Sequence, residues 1–493
     1  MDLEALRRRM DEIDAELLRL FAQRMRVAAQ IGQYKQRHRL PITDAAREQD
    51  KLRDVASKLP EELQAYGCAL YEELFALSRD YQSHRIGKRC GLLGRTLGHS
   101  YSPQIHAQWG GYAYRLYEKE PEELGGFLQS GDFDGLNVTV PYKKAVIPYC
   151  AELSDTAKAI GSVNTLIRRG DGSLYGDNTD AFGLERLILH AGMAVCGKKA
   201  LVLGSGGTSA TACAVLKKLG AAEITVISRR GGNNYENLDR HGDAHIIINT
   251  TPVGMYPHNG EQAVDLRLFP HCCGVVDVIY NPARTALLLQ AEALGIPHAG
   301  GLYMLAAQAK RSAELFTGIP MDDSEIARVT QILRRQMLNI ILVGMPGSGK
   351  TAVSRLLGKR LNREIIDTDA QIEARAGMSV PDIFAKCGEA HFRALETEVL
   401  REAGKQSGKI IATGGGCVTR AENYPLLRQN GLVVWLERDV ALLARDGRPL
   451  SQSGDLRQMY ETRRPCYEHF ADVRVDNNGP LEDTVTQILE VLA

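Results

Sequence analysis

Residues 339–361, NIILVGMPGSGKTAVSRLLGKRL, read as a short buried strand, a glycine-rich turn and a helix. The turn is G-x-x-x-x-G-K-T. Its glycines Gly344, Gly347 and Gly349, with Ser348 between them, free backbone N–H groups to cradle phosphates at a helix N-terminus. Lys350 is placed to reach the terminal phosphates, and Thr351 to bind Mg²⁺. A strand entering such a loop and a helix leaving it predict a parallel α/β sheet. The motif calls for a nucleoside triphosphate and leaves the phosphoryl acceptor open.

Downstream, IIDTD (365–369) sets Asp367 and Asp369 just past a strand. GEAHFRALE (388–396) puts Arg393 and Glu396 one helical turn apart, IIATGGG (410–416) ends a strand in three glycines, and RRPCYE (463–468) supplies Arg463. Over residues 337–493 this order resembles the shikimate kinase family. The resemblance implies ATP and Mg²⁺, with Thr351 and Asp367 at the metal. Asp369, Arg393, Gly415, Gly416 and Arg463 would bind shikimate, and Asp369 would also orient or deprotonate the attacking hydroxyl. Arg448, in DGRPL, would be the lid arginine over ATP, in a lid a few residues shorter than in many relatives.

Upstream, KKALVLGSGGTSATACAVLKKLG (198–220) repeats the strand–turn–helix pattern with G-x-G-G-x-S in place of a full G-x-G-x-x-G. Gly204, Ser205, Gly206, Gly207 and Thr208 form the turn, and Ser209 takes the last glycine position. A second strand ends at Ser228-Arg229-Arg230, where an NAD site usually carries an acid for the ribose 2′-hydroxyl. Paired arginines suit a 2′-phosphate, so NADP is expected rather than NAD. Polar groups gather at other strand ends, in GLLGRTLGHSYSP (91–103), DGLNVTVPYKK (134–144), GSVNT (161–165) and YGDNTD (175–180). With NTTPVGM, DVIYNP and GLYMLAAQA they resemble the shikimate dehydrogenase family over residues 88–336, with an NADP-binding subdomain at about 191–300. That resemblance implies Lys143 and Asp180 as the catalytic pair. It implies Ser100, Ser102, Thr139, Asn164 and Gln308 as substrate ligands, and Tyr280 and Gly301 beside the nicotinamide.

The first 87 residues differ in kind, holding only Gly32, Gly67 and Gly87 of the chain's 48 glycines. Apolar residues recur at Leu3, Leu6, Met10, Ile13, Leu17 and Leu20, then at Val27, Ile31 and Tyr34. This alternation of threes and fours is the seam of a long packed helix, too long for so small a monomer to bury, so a partner helix is expected. Arg24 takes the seam position after Leu20, and a guanidinium there is costly unless it meets an anion. Lys35, eleven residues on, projects from the same side. Asp44, Arg47 and Glu48 are expected as an i, i+3, i+4 cluster on a second helix, with Ser78 and Gln82 on a third. The pattern alone suits equally a dimerising hairpin with solvated charges. The segment also resembles the all-helical chorismate mutase family. By that resemblance Arg7 (toward the partner chain's site), Arg24 and Arg47 bind carboxylates, and Lys35 and Gln82 hydrogen-bond the ether oxygen. Glu48 holds the hydroxyl, and Asp44 and Ser78 complete the site.

Lysine plus arginine and aspartate plus glutamate are both 60, leaving no electrostatic footprint for nucleic acid or an anionic membrane. No apolar run approaches the ~18 residues of a membrane span. The charged start MDLEALRRRMDEID and ten scattered cysteines lead us to expect a cytoplasmic chain without disulfides. The whole reads as a multidomain enzyme with segments 1–87, 88–336 and 337–493. Its expected reactions are chorismate to prephenate, NADPH reduction of 3-dehydroshikimate to shikimate, and ATP phosphorylation of shikimate, in a homodimer held by the helical head. The alternative is a bifunctional dehydrogenase–kinase whose head only dimerises or senses chorismate or prephenate.

Overall fold

The computed structural model describes residues 2–37, 44–86, 88–98, 100–109, 112–131, 133–443 and 456–492. Arg448 lies outside them, as does the side chain of Gln82. The chain divides into two compact units, residues 1–186 with 304–329, and residues 187–303 with 330–493.

The first unit begins with three helices, α1 (Leu3–Arg37), α2 (Ala45–Ser57) and α3 (Glu61–Ile86). The seam of α1 lies open: Leu3, Met10, Ile13 and Leu17 are each more than half exposed. Asp44 is not on the second helix as expected. It caps it, its carboxylate accepting from the Arg47 backbone N–H at 3.1 Å, since a short acidic side chain satisfies an orphan first-turn donor best from the N-cap.

After the head come strands β1 (Lys88–Gly94), β2 (Tyr112–Glu118), β3 (Gly135–Val138), β4 (Glu152–Leu153), β5 (Thr165–Arg168) and β6 (Leu174–Asp177), in the order β2-β1-β3-β5-β6-β4. β1 runs parallel to β2 and β3, whereas β5 is antiparallel to β3 and β6. Parallel β1 and β3 deliver their C-terminal ends to one edge, where ligands bind open α/β sheets. Helix Leu302–Thr317 belongs to this unit from Met304 onward and buries Ser312 against the sheet. Asn137 donates to Ser312 Oγ at 2.7 Å and accepts from the Tyr114 hydroxyl at 2.7 Å.

In the second unit, β7 (Lys199–Leu203), β8 (Glu223–Ile227), β9 (Ile246–Asn249), β10 (Gly274–Asp277) and β11 (His298–Gly300) form a fully parallel sheet, ordered β11-β10-β9-β7-β8. Another parallel sheet holds β12 (Asn339–Val343), β13 (Ile365–Asp367), β14 (Ile410–Ala412), β15 (Gly431–Glu437) and β16 (Val473–Asp476), ordered β13-β14-β12-β15-β16. Apart from Lys199, Asn249 and Asn339 at their ends, strands β7, β9, β12 and β14 are buried apolar runs because both faces are covered. Among the described residues no helix is long and apolar enough to cross a membrane.

Candidate active sites

In the head, the three helices enclose a cavity of about 710 Å³ lined by Arg24 and Lys35 of α1, Asp44, Arg47 and Glu48 at the start of α2, and Ser78 of α3. Arg24 Nη1 donates to the Leu74 carbonyl at 3.0 Å and to the Ser78 hydroxyl, with its guanidinium 5.9 Å from the Phe75 ring centre. The guanidinium that packing logic disfavours thus has polar partners and faces the cavity. Burial lowers the Lys35 pKa, and the Asp44 and Glu48 charges oppose that shift. Arg7 is exposed and, 17 residues before Arg24, lies about 25 Å away along the helix; within one chain it does not join this cavity. Sequence reasoning missed Arg79, which lines the cavity and holds both Glu48 oxygens, at 2.6 and 2.7 Å. It also missed Tyr71 and Phe75, although with Ser78 they form a helical stripe at spacings of four and three.

Past β3, Lys143 Nζ meets Asp180 Oδ2 at 2.6 Å, both side chains keeping some exposure. Asp180 is in the first turn of helix Thr179–His190. The buried Asn164 fixes that turn, accepting from the Thr179 N–H at 2.7 Å, and Thr179 Oγ1 reaches Gln308 at 3.5 Å. Ser100 accepts from the Ser102 N–H at 3.2 Å beyond the end of β1. Thr139, one residue past β3, donates its N–H to the Leu93 carbonyl at 2.9 Å. An ammonium beside a carboxylate, ringed by amides and hydroxyls at one sheet edge, suits proton transfer on a polyhydroxylated substrate.

The turn after β7 keeps Gly204 at φ +104°, where an added Cβ would lie 2.9 Å from Thr251 Cγ2. Side chains added at Gly206 or Gly207 would meet open space, and helix Gly207–Lys218 starts there. Arg229 and Arg230 are exposed past β8, next to β7. An open glycine turn, a helix N-terminus and a cationic pair fit a phosphorylated dinucleotide. The Gly301 N–H bonds the Ile279 carbonyl at 2.9 Å, and an added Cβ would lie 2.0 Å from the Val278 carbonyl. Gly301 is therefore required by backbone approach, with Tyr280 half-buried on the neighbouring loop. Sequence reasoning passed over Asp277, the base of that loop, which accepts from Thr285 Oγ1 at 2.7 Å and Asn249 at 3.1 Å. Burial pushes its pKa up to about 6.

A second cavity, of about 570 Å³, lies at the C-terminal ends of β12, β13 and β14. Lys350 Nζ donates to the Gly344 and Met345 carbonyls at 2.8 and 3.0 Å. Gly344 and Gly349 have φ of +148° and +92°, and a Cβ on Gly344 would lie 2.6 Å from the Leu436 carbonyl. Thr351 Oγ1 faces Asp367 Oδ2 at 3.4 Å. Among the described residues no cluster of three His, Cys, Asp or Glu side chains would hold a metal. Two oxygen ligands suit Mg²⁺ bound mainly through phosphates and water. Arg393 and the fully buried Glu396 pair at 2.8 Å. A Cβ on Gly416 would strike the Arg393 guanidinium at 2.2 Å, and one on Gly415 would strike Pro346 at 2.6 Å. The Gly415 carbonyl accepts from Arg463 at 3.3 Å and from the Tyr467 hydroxyl at 2.5 Å. Asp369 Oδ1 has no hydrogen-bond partner, and burial raises its pKa against the opposing Lys350 charge. A carboxylate aimed into a cavity lined by cations fits a hydroxylated acid beside a phosphate cradle.

Family comparison agrees with this geometry. A chorismate mutase type II model matches residues 6–83, a shikimate dehydrogenase substrate binding domain model residues 92–166, and a shikimate kinase model residues 346–493. The NADP⁺ shikimate dehydrogenase of Clostridium beijerinckii is 34% identical over 255 residues, covering 47% of this chain and 93% of that protein. The shikimate kinase of Symbiobacterium thermophilum is 46% identical over 167 residues, covering 31% of this chain and 96% of that protein. A chorismate mutase/shikimate 5-dehydrogenase fusion from Clostridium acetobutylicum, known as a crystal structure, is 34% identical, covering 50% of this chain and 96% of that one, with a TM-score of 0.48. The chain belongs to the shikimate dehydrogenase and shikimate kinase families, joined in one polypeptide behind a type II chorismate mutase domain.

Proposed function

We propose that the chain catalyses three reactions of aromatic biosynthesis, with domains at 1–87, 88–336 and 337–493. They are chorismate to prephenate, NADPH-dependent reduction of 3-dehydroshikimate, and ATP-dependent phosphorylation of shikimate. The observation that carries this reading is the 2.6 Å Lys143–Asp180 pair in the same chain as a complete phosphate loop. The product of the first of these two sites is the substrate of the second.

NADPH supplies the hydride, and ATP with Mg²⁺ supplies the phosphoryl group. Lys143 and Asp180 hold the substrate's reacting oxygen and shuttle its proton, while Ser100, Ser102, Thr139, Asn164 and Gln308 hold its hydroxyls and carboxylate. At the kinase site Arg393, Arg463 and the Gly415–Gly416 backbone hold shikimate. Asp369 orients the attacking hydroxyl, and Lys350 stabilises charge on the transferring group. In the head, Arg24 and Arg47 fix the two carboxylates, with Lys35 and Gln82 at the ether oxygen. The rearrangement needs no acid or base, only preorganised donors. Arg7 completes this site from a second copy in a homodimer, which also covers the open α1 seam. Ten free cysteines suit a cytoplasmic setting.

Three assays on the purified full chain test the reading: chorismate alone, shikimate with NADP⁺, and shikimate with ATP. Turnover in all three is expected. Absence of chorismate turnover alone would leave a bifunctional dehydrogenase–kinase with a sensing or dimerising head.

A further inference from the structure

The loop between β10 and helix Ala286–Ala293 carries Tyr280, then Ala283 and Arg284. The acceptors for the backbone N–H groups of Ala283 and Arg284 come from the kinase segment. The Ala283 N–H donates to Asn430 Oδ1 at 2.8 Å, and the Arg284 N–H to the Gln429 carbonyl at 2.9 Å. Around them, Arg428 bridges Glu292 and Asp472, at 2.6 Å to each. Arg428, Gln429 and Asn430 are all under 9% exposed. Consecutive backbone donors, buried amides and a charge bridge describe a built interface rather than a loose touch. Its kinase half continues straight into the fold: the Asn430 carbonyl accepts from the Asn339 N–H at 2.8 Å, at the start of the strand that feeds the phosphate loop.

We infer that the kinase domain is a positioning partner for the dehydrogenase: the turn Arg428–Gly431 grips the Tyr280-bearing loop from behind and sets the affinity of the dehydrogenase for its nicotinamide cofactor. This rests on the proposed NADP site and adds a dependence on the kinase domain. Both ends of the loop are tied together by the Thr285–Asp277 bond, and the Asn281 carbonyl accepts from the Tyr256 N–H, whereas Ala283 and Arg284 take their acceptors from the kinase. Loosening the grip should let the loop sample conformations that bind the cofactor less well, without touching the Lys143–Asp180 pair or the phosphate loop.

The test uses two full-length variants, neither at a catalytic position: Arg284→Ala, which removes the side-chain donor to the Gly431 carbonyl at 3.3 Å, and Glu292→Gln, which weakens the Arg428 bridge. The second is a conservative change on a partly exposed side chain and serves if the first misfolds. Hydrogen exchange across residues 278–285 should accelerate, and KM for NADP⁺ should rise roughly five-fold, as expected for a lost interdomain contact. Dehydrogenase kcat and the kinase KM for ATP should stay within about two-fold. Unchanged exchange in both variants overturns the grip. Faster exchange with an unchanged KM for NADP⁺ overturns its link to cofactor affinity. A wild-type chain that does not oxidise shikimate with NADP⁺ instead overturns the underlying functional reading, and the exchange result still decides the docking.

Discussion

Arg393→Met tests the energetics of the kinase site. The wild-type guanidinium is 9% exposed and lies 2.8 Å from a Glu396 carboxylate with no exposure. Its second partner, Glu389, is more than half exposed at 3.1 Å, so that contact adds under about 1 kcal/mol. Methionine keeps the volume and strands Glu396, an unpaired buried charge that costs about 3–5 kcal/mol. Burial already lifts the Glu396 pKa above that of an unfolded carboxyl, against the opposing Arg393 charge. Without the guanidinium it rises further, and the native state binds this proton more tightly than the unfolded chain. The loss should therefore be small below about pH 4, where both states are protonated, and grow as pH rises toward the shifted native pKa. The double variant Arg393→Met, Glu396→Gln should recover most of the stability while failing to bind shikimate. Trp435 is buried in the kinase sheet, and the only other tryptophan is Trp109. Urea unfolding followed by fluorescence in a Trp109→Phe background therefore reads this domain separately. A single variant as stable as its parent at pH 8, or a double variant no better than the single, would refute the argument.

Lys143→Ala should abolish shikimate oxidation and spare phosphorylation, and Lys350→Ala should do the reverse; steady-state assays with each cosubstrate check both. Arg229→Asp should weaken NADP⁺ by at least ~1.5 kcal/mol in a titration, as for a lost charge-assisted hydrogen bond, and a parent that prefers NAD⁺ would sink that assignment. Removing residues 1–87 should lower the oligomeric state in sedimentation while both other activities persist. Arg24→Met should leave folding intact, because among the described residues the guanidinium has no carboxylate partner, only one carbonyl, one hydroxyl and the Phe75 ring, against which methionine packs. Chorismate turnover should fall by the ~3–4 kcal/mol of a lost electrostatic donor, and intact turnover in a melted dimer would make the arginine structural.

Residues whose job is done by local backbone chemistry were the legible ones. The phosphate loop, the strand that enters it and the helix that leaves it follow from glycine spacing and an apolar run. Lys143 and Asp180 are 37 residues apart, and only the family resemblance joined them before the fold did. The spacing of Asp44 to Arg47 and Glu48 matches a helix, yet an N-cap shares that spacing. Arg79 escaped because an arginine beside a site serine on an exposed-looking helix carries no periodic signal. The Arg284–Gln429 contact was invisible for another reason: backbone donors have no sequence signature.

Ser312 has a consequence for how this protein is made. Its hydroxyl accepts from Asn137 across 175 residues of chain, and it is also within 3.0 Å of Thr165 and Thr179. Ribosomes deliver that interval in roughly 9 to 35 s at 5–20 residues per second. Throughout it, Asn137 has Tyr114 and Thr165 as partners but lacks Ser312, while the whole β7–β11 sheet emerges. The β7–β11 sheet, complete by residue 300, therefore has all of its strands before Ser312 reaches the sheet that precedes it. A truncation between residues 301 and 312 would leave the earlier unit without Ser312 while every strand of the β7–β11 sheet is already present.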